Sequence, residues 1–204
     1  MEVFAASVEA RYLELAGRPA EFPAEGYHGA YIVDIARALL EEDGGRLVEE
    51  SPQKRRAELG ERAYRMALAH IRDSMSSFGV HFDTWFSERE LQRSGAVEEE
   101  VRRLLRDGLA YEKDGAVWMA TSRFGDDKDR VLVRRKGAPT YFAADIAYHM
   151  DKIARGYDLL INIWGADHHG YVRRMQAAME AKGYPHALEV ILGPLVNLKR
   201  GGEP

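Results

Sequence analysis

The residues best placed to do chemistry stand together at Gly165-Ala166-Asp167-His168-His169, directly after the apolar run Leu159-Leu160-Ile161-Asn162-Ile163-Trp164. Gly165 would let a ligand approach the backbone, Asp167 can accept hydrogen bonds from a ribose diol, and His168 and His169 can donate to a phosphate or nucleobase. The structural alternative is that Asp167 caps the following helix while both histidines face solvent. Tyr141 and Asp145 form a second constellation: four residues apart at the start of a helix, they stack on one face. A phenol and a carboxylate on one cleft suit a cationic ligand, although an Asp in a first helical turn also complements the macrodipole. Glu88 would bring a second carboxylate to the same crevice, and two convergent carboxylates suit a guanidinium or an ammonium.

Other polar clusters point to less. Asp126, Asp127 and Asp129 in FGDDKDR lack the later glutamate and the glycine placement of an EF-hand loop, and read as a solvated acidic turn. His70 reads as a packed or half-exposed helix residue, since no second ligand stands nearby. The sequence contains no GxxxxGK[ST], GxGxxG or Gly-x-Ser-x-Gly motif, so it holds no complete phosphate cradle of its own.

The elements that must position these residues follow from periodicity and punctuation. Helical spacing predicts a helix over Val3 to Ala16, with Phe4, Val8, Tyr12 and Leu15 on one face. A second runs from Tyr31 to Glu42 and ends at Gly44-Gly45. A third starts after Ser51-Pro52, places Leu59, Ala63, Met66, Ala67 and His70 inward, and closes at Gly79. Val80 to Phe86 alternates at period two and predicts a strand. In EEEVRRLLRDGL, Glu98 with Arg102 and Glu99 with Arg103 have i,i+4 spacing on a solvated helix face. Asp114-Gly115 predicts a type I′ hairpin, and Val131 to Arg134 a further short strand. After Pro139 the pattern becomes helix (Ala143 to Arg155), apolar strand (Leu159 to Trp164), helix to Lys182 and apolar strand (Ala187 to Leu192). Strands apolar on both faces predict a parallel sheet covered by helices, half of an open α/β fold, which binds ligands beyond the strands' carboxyl ends.

The 204 residues, 46% hydrophobic and 30% charged, are enough chain to bury a core. The absence of Cys excludes a disulfide scaffold, a thiolate nucleophile and Cys-ligated metal, and fits a reducing compartment. Lys plus Arg number 29 against 33 Asp plus Glu, and the net charge of -4 argues against a general nucleic-acid-binding module. No run approaches the roughly 20 apolar residues of a membrane span, and the N-terminus lacks a secretory-signal pattern, so a cytoplasmic protein is expected.

Taken together, TSRFGDDKDRVLVRRKGAPTYFAADIAYHMDKIARGYDLLINIWGADHHGYVRRMQAAMEAKGY, residues 121–184, resembles the heart of bacterial arginyl-tRNA synthetase, a class I aminoacyl-tRNA synthetase. SVEARYLELAG at 7–17, GYHGAYIVDIA at 26–36, FDTWFSE at 82–88 and VNLKRGGEP at 196–204 resemble that family in the same order. The resemblance implies an α/β, partial Rossmann-like parallel sheet with an inserted small α+β connective segment. It divides the chain into 1–87, the first part of the catalytic domain, 88–138, the insertion, and 139–204, the second half. It implies activation of arginine by ATP, with Mg2+ arriving on the nucleotide, and transfer to tRNA(Arg), the full enzyme being a monomer. Glu88, Tyr141 and Asp145 would then recognise arginine, and Gly165, Asp167, His168 and His169 would lie against the adenosine. No metal ligand and no catalytic side chain is assigned.

The chain departs from the family where the ATP phosphates are held. Neither an HxGH-like segment nor a KMSK-like loop occurs: His28-Gly29 and His168-His169-Gly170 do not match the first. The expectation is an excised middle of the enzyme, unable to adenylate arginine alone. Arg173 stands where the family commonly has Pro. The alternatives are a non-catalytic fragment or paralogue acting as a binding module, and a manganese-dependent phosphoesterase using Asp-His-His.

Overall fold

The computed structural model describes residues 2–194 and 196. The chain divides into two compact units, 1–84 and 85–204. All of VNLKRGGEP except Val196 lies outside the described residues.

Three helices build the first unit: α1 (Glu2–Leu15), α2 (Ala30–Asp43) and α3 (Pro52–Ser77). Local chemistry sets their ends. Gly44 takes the left-handed conformation that closes α2, while Ser51 accepts the Lys54 amide at 3.4 Å ahead of Pro52 to open α3. Val8, Tyr12, Ile32, Leu39, Leu47 and Leu59 are completely buried between them. Leu15 and His70, expected to face inward, are exposed at the ends of their stripes. Glu9 is a buried charge of this unit, paired with Arg55 at 2.8 Å and Arg56 at 2.6 Å.

The segment 80–86 is not a strand. Alternation makes a segment able to pair, but a strand forms only against another strand's free hydrogen-bonding edge. Among the described residues no strand pairs with it, and Val80 and Phe82 are exposed.

The second unit runs through α4 (Glu88–Arg93), α5 (Ala96–Arg106), β1 (Ala110–Lys113), β2 (Ala116–Met119), β3 (Arg130–Val133), α6 (Tyr141–Ala154), β4 (Leu160–Gly165), α7 (His169–Ala181) and β5 (Leu188–Gly193). The β1–β2 hairpin turns through Asp114 and Gly115 with φ of 53° and 73°, as a type I′ turn requires, and β3 pairs antiparallel with β2. Glu99 gathers Arg102, Arg103 and Arg106 at 2.9 to 3.5 Å on the outer face of α5. The hairpin region and the helices after it share one core, in which Leu104, Met119 and Leu132 join Ile146, Met175 and Met179.

Strands β4 and β5 are parallel, in register from Leu160 opposite Leu188 to Gly165 opposite Gly193. Their cover differs from the expected pattern. Leu160, Asn162 and Leu188 are buried, but Ile161, Ile163 and Ile191 are 54%, 76% and 53% exposed. Both faces are apolar, yet among the described residues the cover lies on one, so the mixed α/β fold holds a sheet covered on one side. No helix among the described residues is long and apolar enough to cross a membrane.

Candidate functional site

The parallel pair β4–β5 ends at Gly165 and Gly193, and Gly165-Ala166-Asp167-His168-His169 turns from that carboxyl end into α7. This is the part of an open α/β sheet where ligands collect. The whole turn is exposed. His168, not Asp167, stands at the N-cap of α7, and among the described residues no side-chain bond caps the helix there. Its carboxylate lies 3.5 Å from His168 Nε2, and His168 in turn lies beside the Trp164 ring, 6.3 Å between centroids. A Cβ on Gly165 would collide with the Asp167 carboxylate, so glycine there lets that group fold back over the strand end.

Helix α6 supplies the second part. Thr140 caps it, accepting the Ala143 amide at 3.4 Å while donating its hydroxyl to the Val131 carbonyl, which ties the helix start to β3. Tyr141 is 77% exposed, on a cleft of about 310 Å³ lined also by Gln92, Glu98 and Arg134. One turn later Asp145 is half-buried and accepts the Tyr171 hydroxyl at 2.6 Å on Oδ2. Burial raises the Asp145 pKa, opposed by the Tyr171 hydrogen bond and by the charges of Lys152 and His168. Burial, reinforced by that carboxylate, pushes the Tyr171 hydroxyl pKa far up, so it remains a donor.

Glu88 stands apart. It opens α4, is exposed, and accepts Gln92 Nε2 of its own helix at 3.1 Å. Among the described residues it is not hydrogen-bonded to Tyr141 or Asp145.

Behind Asp145 lies a polar chain that the sequence reading passed over. His149 Nδ1–H donates to the Asp145 carbonyl at 2.7 Å, which leaves Nε2 as the acceptor of Asn162 Nδ2 at 2.8 Å. Asn162 Oδ1 accepts from Lys152 Nζ at 3.2 Å. Burial lowers the His149 pKa to about 4 and lowers that of Lys152. A signal was present: Asn162 interrupts an apolar strand, and His149 follows Asp145 by four residues on an otherwise apolar helix face. Tyr171 carried no such mark.

The acidic turn is consumed internally. Arg130 grips Asp126 through two bonds, 2.7 and 2.8 Å, and also meets Asp127, while Asp129 accepts from Ser122 and Tyr111. Among the described residues no group of three or more His, Asp or Glu is arranged to hold a metal ion, so nothing supports the phosphoesterase alternative.

No protein-family model matches the chain. Curated relatives do. The chain is 54% identical over 204 residues to "Arginine--tRNA ligase" of Carboxydothermus hydrogenoformans, covering all of this chain and 37% of that protein. The protein of the same name from Heliobacterium modesticaldum is 50% identical over 204 residues, all of this chain and 36% of the relative. A crystal structure described as an arginyl-tRNA synthetase from Campylobacter jejuni superposes with a TM-score of 0.86 at 38% identity, covering 98% of this chain and 44% of that one. The chain thus spans little more than a third of the length of the curated relatives it matches. In sequence and in fold, it is a homologue of one segment of the arginyl-tRNA synthetases.

Proposed function

We propose that this chain carries the arginine and adenosine contacts of an arginine–tRNA ligase. The observation that carries the reading is Asp145: a half-buried carboxylate, fixed by Tyr171, one helical turn from exposed Tyr141. A guanidinium offers paired charge-assisted hydrogen bonds to such a carboxylate, and lysine or citrulline leaves part of that set unmatched. Glu88 would add its charge from the rim. Gly165, Asp167, His168 and His169 would receive the adenosine, Asp167 accepting from the ribose hydroxyls.

In the whole enzyme the arginine carboxylate attacks the α-phosphorus of ATP, giving arginyl-adenylate and pyrophosphate. A ribose hydroxyl of the tRNA(Arg) terminal adenosine then takes the arginyl group and releases AMP. Mg2+ enters as part of the nucleotide substrate and neutralises its phosphates. The residues of this chain orient both substrates, and orientation in a polar, preorganised cleft is a large part of such a rate. The parts that hold the triphosphate have no counterpart in this sequence, so the chain alone binds without adenylating. The setting is the cytoplasm, and the complete enzyme acts as a monomer. Calorimetry of the chain with arginine, lysine and citrulline tests the pocket: arginine is expected to bind and citrulline not. Arginine-dependent ATP–pyrophosphate exchange by this chain near the rate of a complete ligase would overturn the division of labour.

A further inference from the structure

We infer that Tyr171 is a positioning residue for the arginine pocket, holding the Asp145 carboxylate oriented toward the cationic ligand. The inference rests on the reading of Asp145 given above and adds to it a residue that contributes from another helix.

The hydroxyl of Tyr171, on α7, donates to Asp145 Oδ2, on α6, at 2.6 Å. A carboxylate with both oxygens free rotates about its terminal bond, and one whose Oδ2 is engaged presents Oδ1 in a fixed direction. The tyrosine ring is itself held on several sides. Trp164 of β4 lies 5.7 Å away between centroids, Phe142 of α6 meets it edge-on at 6.2 Å, and the Arg174 guanidinium sits 4.8 Å from its centroid. The Asp145 backbone is fixed separately, its carbonyl accepting from His149. Helix, strand and the next helix therefore converge on one carboxylate, as preorganised recognition of a cation requires. Tyr171 also acts on charge. The groups facing Asp145 are Tyr171 on α7, Lys152 on its own helix and His168 at the strand end; burial raises its pKa and these three oppose the rise. Without the hydroxyl the carboxyl would hold its proton to higher pH, and a protonated Asp145 offers a guanidinium no charge.

The test is Tyr171→Phe in the 204-residue chain, which removes the hydroxyl and keeps the packed ring. Arginine affinity by calorimetry is expected to fall about tenfold, the scale of a hydrogen bond to a charged group. The acid limb of binding against pH is expected to move to higher pH, a change that mere loosening of the fold does not cause. Replacing Tyr171 by a fluorinated tyrosine, a stronger donor of nearly the same shape, should move that limb the other way, and this arm stands even if the phenylalanine variant fails to fold. Unchanged affinity with an unchanged pH profile in either well-folded protein overturns the role of Tyr171. Asp145→Asn separates the two levels: if it binds arginine like the parent chain, or if the parent chain does not bind arginine, the pocket reading itself fails.

Discussion

Asn162 of β4 donates from Nδ2 to His149 Nε2 of α6 at 2.8 Å, in a buried pair that links strand to helix directly behind Asp145. The bond exists only while His149 is neutral, because a protonated Nε2 has no lone pair to accept with. Burial lowers the folded-state pKa to about 4 from an ordinary value of 6.5. The unfolded chain therefore binds the proton first, and stability from this group is complete above about pH 6.5 and is lost as pH falls toward 4. The full span corresponds to roughly 3 kcal/mol. Urea unfolding of the second unit across that window should give a falling free energy, and His149→Gln should flatten the fall.

How far the amino-acid pattern reached depended on range. Elements ended by chemistry within a few residues, such as Ser51-Pro52 before α3, Asp114-Gly115 in the hairpin and Gly44 after α2, stand where their turns predict. The period-two segment 80–86 misled because its alternation says what a strand would bury and not whether a partner edge exists. The apolar runs of β4 and β5 predicted cover on both faces for the same reason: Ile163 reports a demand that the described residues do not meet. In the candidate site, Tyr141, Asp145 and Asp167 could be named because spacing puts them at a helix start or a strand end. Tyr171 meets Asp145 across 26 positions, a contact that needs the packing of α7 on α6 before it can be seen.

Asp126 gives a second acid-sensitive window, separated from that of His149. Two hydrogen bonds from Arg130 hold its pKa well below the ordinary carboxylate value, and the pair is largely shielded from solvent. A lowered carboxylate pKa means that the stability is present above about pH 4 and disappears as pH falls through the folded-state value. Among the described residues, Asp126→Ala leaves Arg130 with exposed Asp127 as its ionic partner, and it should cost about 3 kcal/mol at neutral pH, the scale of a broken buried pair. Thermal unfolding followed at pH 7 and then at steps below pH 4 checks both parts: the variant should be far less stable at pH 7, and the gap to the parent should start to narrow below about pH 4 and stay substantial at pH 3, because folded Asp126 is still ionised there.

Gly60 sets up a contest between two effects in the first unit. Alanine is favoured over glycine inside a helix by about 1 kcal/mol. At this position in α3, however, a Cβ would lie 2.7 Å from the Ala5 Cβ on α1, closer than two methyl groups can approach. Relieving that overlap requires α1 and α3 to separate, at a cost of about 1–3 kcal/mol. The clash should win. Gly60→Ala is expected to lower the unfolding midpoint of the first unit in urea, and a rise would mean that the helices have room to part.

The two carboxylates expected to share a ligand differ in surroundings, and that difference predicts unequal effects. Glu88 is exposed and accepts Gln92 within its own helix, so its attraction for a cation is screened by water. Asp145 is half-buried with one oxygen held by Tyr171, where a charge-assisted bond is worth about 1.5–3 kcal/mol. Glu88→Gln should therefore weaken arginine binding to this chain by a few-fold at most, and mainly at low salt. Asp145→Asn should weaken it by about ten- to a hundredfold and at any ionic strength. Calorimetric titrations at two salt concentrations distinguish them. Equal losses for both variants would place Glu88 against the ligand in the bound state, with α4 moving inward to close the pocket from its rim.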